Sequence, residues 1–92
     1  LQDFIDAISG DKRLKPFHLS LCMALCKAWI KSGFQESFQI SRSELMQASR
    51  ILSTATYHKV IKDLQAFGYL KYKPSYHPIH GSTVSLLANP EV

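Results

Sequence analysis

The apolar positions follow two rhythms. Leu1, Phe4, Ile5 and Ile8 recur at three-and-four spacing and mark a short amphipathic helix that ends at Ser9-Gly10. Leu19, Cys22, Met23, Cys26, Trp29 and Ile30 mark the broad face of a longer helix, which begins at Pro16, where no amide proton is needed, and stops at Gly33. Leu21, Leu25 and Ala28 widen that face, so this helix is expected to run through the centre of the domain, with Trp29 and Met23 in the core and Lys27 and Lys31 reaching solvent. Phe34 is expected to fold back on the helix end. Phe38 and Ile40 then alternate with Ser37, Gln39 and Ser41, the pattern of a half-buried strand.

Two short helices come next. Ser41 with Glu44 three residues on is a capping box, and Leu45, Met46 and Ala48 are expected to face inward. Residues 49–52 leave room only for a tight turn. Ser53 is the N-cap of the second helix, 53–67, in which Tyr57, Val60, Ile61, Leu64 and Phe67 fall within about 80° of Tyr57 at about 100° per residue. Ala55, Lys59, Lys62 and Ala66 point the other way, flanked by Thr54 and His58 on one shoulder and Thr56 on the other. Gly68 ends the helix. Leu70 and Tyr72 alternate with Lys71 and Lys73, Pro74 ends that strand, and a last strand over residues 83–87 places Val84 and Leu86 on one face.

The order is helix, strand, helix, helix, strand, loop, strand. It predicts an α+β fold, a winged helix-turn-helix whose helices pack with a small three-stranded antiparallel sheet. Ninety-two residues allow a single domain over 1–92. Within it, 1–15 is an N-terminal packing or dimerisation segment, of which GDKRLK is a solvent-exposed connection, and 74–82 is the wing. The chain begins at Leu1 instead of Met, which leaves a longer parent protein as open as a complete one.

Charge sharpens the functional reading. The net charge is only +4, but five basic residues, Arg50, Lys59, Lys62, Lys71 and Lys73, stand against Asp63 alone between Leu45 and Pro90. Such asymmetry suits a polyanion. The expectation is sequence-specific binding of double-stranded DNA, with Thr54, Thr56, His58, Lys59 and Lys62 at the bases of the major groove. Ser41, Ser43, Arg50 and Ser53 would meet the backbone, and Lys71, Lys73, Tyr76, His77, His80 and Ser82 the backbone or wing contacts. With no Arg in that helix or the wing, one monomer discriminates bases modestly, so a homodimer is expected, with Phe4, Ile5, Ile8 and Trp29 as candidate contacts. The rival is a protein-interaction module within a replication or transfer assembly.

Other chemistry is thinly provided. Cys22 and Cys26 read as a core stripe in a reducing compartment, and neither they nor His77-x-x-His80 assemble an expected metal site or cofactor. Three of only seven carboxylates lie in the first eleven residues, with no paired histidine or serine, so no enzyme is expected. Lys27 and Lys31 interrupt the most apolar helix, which argues against a membrane span. A cytoplasmic, nucleoid-associated protein is expected.

The run TATYHKVIKDLQAFGYL resembles the recognition helix and following strand of winged-helix transcription regulators, in Thr56, Lys59, Leu64, Gly68 and Leu70. That resemblance spans roughly 37–87 and is generic. The wider string SRSELMQASRILSTATYHKVIKDLQAFGYLKYKPSYHPIHGS is similar to small helix-turn-helix proteins carried on conjugative and transposable elements of Bacteroides-like bacteria. It implies a bacterial transcriptional or mobile-element accessory regulator, acting on an element's genes or its excision.

Overall fold

The computed structural model describes residues 1–74 and 81–87. Among them the chain runs α1 (Gln2–Gly10), α2 (Pro16–Lys31), β1 (Phe38–Ile40), α3 (Arg42–Ser49), α4 (Thr54–Ala66), β2 (Leu70–Lys73) and β3 (Ser82–Leu86). The strands form one antiparallel sheet in the order β1-β3-β2, so the last strand in sequence is the central one in space. Val84 lies opposite Phe38 on one side and Tyr72 on the other, and is wholly buried. Entry into β3 requires glycine: a Cβ on Gly81 would lie 2.5 Å from the carbonyl oxygen of Ile40.

The sheet has one apolar face, as the alternation predicts. Phe38, Ile40, Leu70 and Val84 are buried, while Gln39, Lys71 and Lys73 are exposed. Tyr72 reaches along the inner face so that its hydroxyl meets Ser82 Oγ at 3.0 Å. On the outer face, Ser37 and Ser85 share a hydrogen bond of 2.9 Å between their hydroxyls.

The central helix is rotated from its expected setting. It buries His18, Leu21, Cys22, Ala24, Leu25 and Cys26, and leaves Phe17, Leu19, Met23 and Ile30 exposed. Its apolar residues surround most of the helix, so periodicity could not select a face; the packing of α3, α4 and the sheet does. Met23, expected in the core, is 61% exposed. Trp29 is half-buried, donating its Nε1–H to the Gln35 carbonyl at 3.0 Å and meeting Phe34 edge-on at 5.2 Å. Phe34 does fold back on the helix end as expected, through left-handed backbone at both Gly33 and Phe34. Cys22 and Cys26 are buried free thiols, and burial pushes the Cys22 thiol up to about 12.

A nine-residue helix such as α1 is marginal alone, and here it is held by the core. Phe4 and Ile8 are buried, Phe4 edge-on to Tyr69 at 6.2 Å, so these two candidate dimer contacts are spent within the protomer. The segment after α1 is no free connection either, although Lys12 and Arg13 are exposed. The Tyr69 hydroxyl donates to Asp11 Oδ2 at 2.6 Å, with the Ala7 carbonyl at 3.3 Å. Arg13 chelates the same carboxylate through Nε and Nη2 at 2.9 and 2.6 Å and lays its guanidinium 4.4 Å from the centre of the Phe67 ring. Burial first, and then Asp11, push the Tyr69 hydroxyl up to about 12. The Arg13 hydrogen bonds, and then the one from Tyr69, hold Asp11 well below the usual carboxylate range. This latch joins residues 58 apart in sequence.

Tyr69→Phe keeps the ring and removes only the hydroxyl, so it should lower unfolding stability by about 1.5–3 kcal/mol, the scale of a hydrogen bond to a charged group. Urea denaturation would show it as an earlier midpoint at unchanged slope; an unmoved midpoint would mean that the latch contributes nothing.

Candidate nucleic-acid interface

The pair α3–α4 is built by local capping. Ser41 Oγ accepts from the Glu44 amide at 3.4 Å and is 3.1 Å from Ser43 Oγ; only the serine half of the expected box is made. Leu45 is buried and Met46 half-buried, but Ala48 is exposed. Ser49 takes the inward position instead, its hydroxyl donating to the Leu45 carbonyl at 2.6 Å, a way of burying serine that apolar patterning does not reveal. Arg50 ends α3 in left-handed backbone, φ 62°, and Ile51 plugs the turn at 1% exposure.

Ser53 then caps α4, accepting from the Thr56 amide at 3.3 Å. In this cap the Ser53 oxygen accepts, so its own O–H is left to donate from an exposed position. Tyr57, Val60, Ile61 and Leu64 are buried, and burial pushes the Tyr57 hydroxyl up to about 12. Phe67, expected on the same ridge, is half-buried beneath Arg13 at the helix end. Gly68, with φ 88°, ends the helix as expected.

With that ridge inside, the outward side of α4 carries Thr54, Ala55, His58, Lys59 and Lys62, all exposed, with Thr56 half-buried at the edge. Beside it lies an open groove of about 570 Å³ between α4 and β2, lined by His58, Lys62, Gln65 and Tyr72 among others. Gln65 spans the two elements, its Oε1 accepting from the Tyr72 amide at 3.1 Å.

Asp63, the one acid of the basic stretch, lies on this helix and makes two contacts that the charge count does not show. Asp63 Oδ2 lies 3.4 Å from Lys59 Nζ and 2.9 Å from His18 Nε2. His18 Nδ1 accepts from the Lys15 amide at 2.8 Å, so its ring hydrogen sits on Nε2 and is donated to Asp63. The His18 bond first, and Lys59 after it, hold the Asp63 carboxyl below its usual value. The i, i+4 spacing of Lys59 and Asp63 was a legible signal; the partnership with His18, 45 residues away, was not. Lys59 remains 75% exposed, and exposed pairs of this spacing are worth only about 0.3–0.5 kcal/mol, so its ammonium is easily recruited elsewhere. Among the described residues Lys62 enters no ion pair.

The remaining expected contacts are scattered. Ser43 and Arg50 are exposed and Ser41 half-buried, all in or beside α3. Lys71 and Lys73 are exposed, but the pleat puts them on the sheet face opposite Leu70 and Tyr72, and therefore away from α4. Ser82 shares the inner face with Val84 and is bonded to Tyr72 instead of projecting outward. Tyr76, His77 and His80 lie outside the described residues.

Comparison of the chain with family models, curated proteins and solved structures returns no match. Among the described residues no three His, Cys, Asp or Glu side chains are grouped to hold a metal, and no helix is long and apolar enough to cross a membrane.

Asp63 and Asp11 both have carboxyls depressed in the folded state, so each adds stability that is present above the usual value of 3.8 and lost as pH falls toward the folded value. Stability should therefore decline from about pH 5 downward. Asp63→Asn should remove part of that decline, measured as the difference between urea midpoints at neutral pH and at about pH 3; a difference equal to wild type would sink this account of the Asp63 site.

Proposed function

We propose that this domain is a winged helix-turn-helix that binds double-stranded DNA in a sequence-dependent way, with α4 in the major groove and the β2–β3 hairpin as a wing over the flanking backbone. The observation that carries the reading is the setting of α4. It is the second of two helices joined by a tight turn, its apolar ridge is buried, and its lysines, hydroxyls and imidazole are left outward. The two strands after it, β2 and β3, pair antiparallel, an arrangement compatible with a wing.

On this reading phosphates draw in Lys59 and Lys62 first, and base edges are then read by these lysines with Thr54, Thr56 and His58. Arg50 and Ser43 at the edge of α3 meet the backbone. Lys71 and Lys73, on the far face of the sheet, add field more than contact. The role we assign, by resemblance, is that of a small bacterial transcriptional or mobile-element accessory regulator working at the nucleoid.

One observation favours a second reading. Leu19, Met23 and Ile30 form an uncovered apolar row along α2, 39%, 61% and 48% exposed. The row suits a protein contact, either the second copy of a DNA-binding homodimer or a partner of an interaction module in a larger assembly. Under the second alternative, DNA binding is weak, erased by salt and blind to sequence.

Selection of bound duplexes from a random pool at stated salt should recover a motif. Replacing Lys59 and Lys62 together with Ala should weaken binding to it at least about tenfold, or about 1.4 kcal/mol, with the circular dichroism spectrum unchanged. Lys71→Ala with Lys73→Ala should leave the preferred sequence alone and lower the slope of log affinity against log salt by at most about 1. Full affinity without Lys59 and Lys62 would remove α4 from the groove.

A further inference from the structure

Leu52 is 94% exposed, the most exposed of the large apolar side chains among the described residues. The others lie elsewhere: Phe17, Leu19, Met23 and Ile30 on α2, Phe34 just past its end and Leu1 at the chain start. Leu52 stands alone in the turn that leads into α4, between the exposed Arg50 and the Ser53 cap.

The fold makes no use of this side chain. Leu52 immediately precedes the N-cap, the position from which an apolar side chain commonly folds onto the fourth helical residue, here Tyr57. Tyr57 is already 2% exposed without it, and Ile51 fills the inward position of the turn at 1%. The chain thus spends one apolar residue on closing the turn and turns the next one out. A lone exposed leucine is ordinary on a protein surface. What distinguishes this one is its place in the chain: it lies two residues before α4, whose exposed side begins with Thr54 and Ala55 and continues through Lys59 and Lys62, so an apolar group precedes a cationic helix face.

That sequence of chemistries matches one base edge. In the major groove thymine presents a C5-methyl group beside its O4 acceptor, and none of the other three bases carries a methyl there. Resting on the DNA-binding reading above, we propose that Leu52, with the Ala55 methyl behind it, packs on a thymine C5-methyl under the start of α4. Lys59 and Lys62 then take the neighbouring acceptors and phosphates. Leu52 would be a specificity-determining residue: it adds nothing to long-range attraction and selects thymine at one step of the site.

The test uses the full chain and the duplex recovered from the random pool, with each thymidine replaced in turn by deoxyuridine, which removes only the methyl. At one position this should weaken wild-type binding about fourfold, the scale of one buried methyl group. Leu52→Ala should weaken binding to the thymidine duplex by a similar factor, and the methyl should no longer matter to that variant. So exposed a residue leaves the fold intact when replaced, which circular dichroism checks. A recovered motif in which no methyl matters, or a Leu52→Ala loss that is equal with and without the methyl, overturns this inference and leaves the DNA reading standing. If no motif is recovered and all duplexes bind alike, the DNA reading and the inference fall together.

Discussion

The architecture depends on burial of one side of α4. Tyr57, Val60, Ile61 and Leu64 are between 0% and 5% exposed, and each is worth about 1.5–3 kcal/mol to keep from water. No rotation of the helix hides those four and also hides the lysines, because the wheel puts them on opposite sides. Fixing the ridge therefore fixes what faces outward. The caps at Ser41 and Ser53, the left-handed Arg50 and the plug at Ile51 set where the helix begins and at what angle the chain enters it. They are local devices that serve this one orientation.

Around that ridge the rest of the chain is a clamp. The sheet covers the core with its inner face and is held through Val84, whose strand arrives last and inserts between the other two. The Tyr69–Asp11–Arg13 latch ties the segment after α1 to the residues just past α4, and His18 ties the start of α2 to the last turn of α4 through Asp63. Two acidic side chains thus do positional work on α4, and both are supplied with donors from distant segments. Acid weakens both by protonating the carboxylates they rely on.

Electrostatically the outward face is mixed, not uniformly basic. Asp63 takes part of the Lys59 charge, Lys62 is free among the described residues, and Lys71 and Lys73 look in another direction. A groove-binding role for α4 therefore rests on two lysines with hydroxyls and an imidazole, a weaker cationic set than the count along the sequence suggests. On the proposed reading, shape and apolar contact therefore share the selectivity with charge.

Much of this was legible in the sequence. Period and capping residues located β1, both short helices and the alternating strand after Gly68, and the wheel separated the buried ridge of α4 from its lysines, because those signals are local and repeat within a few residues. The setting of α2 was not legible: with apolar residues on most of its circumference, only the neighbours that pack on it could choose between Leu21 with Leu25 and Met23 with Ile30. Nor were the contacts of Asp11 with Tyr69, Asp63 with His18 and Tyr72 with Ser82, or the burial of Ser49 in place of Ala48. By itself the chain determined which segments are helix and strand and which edge of α4 is polar. Only the tertiary structure decided which polar groups are paired within the chain and which stay exposed, because a hydrogen bond between residues 45 or 58 apart depends on how the elements pack, and no local period carries that information.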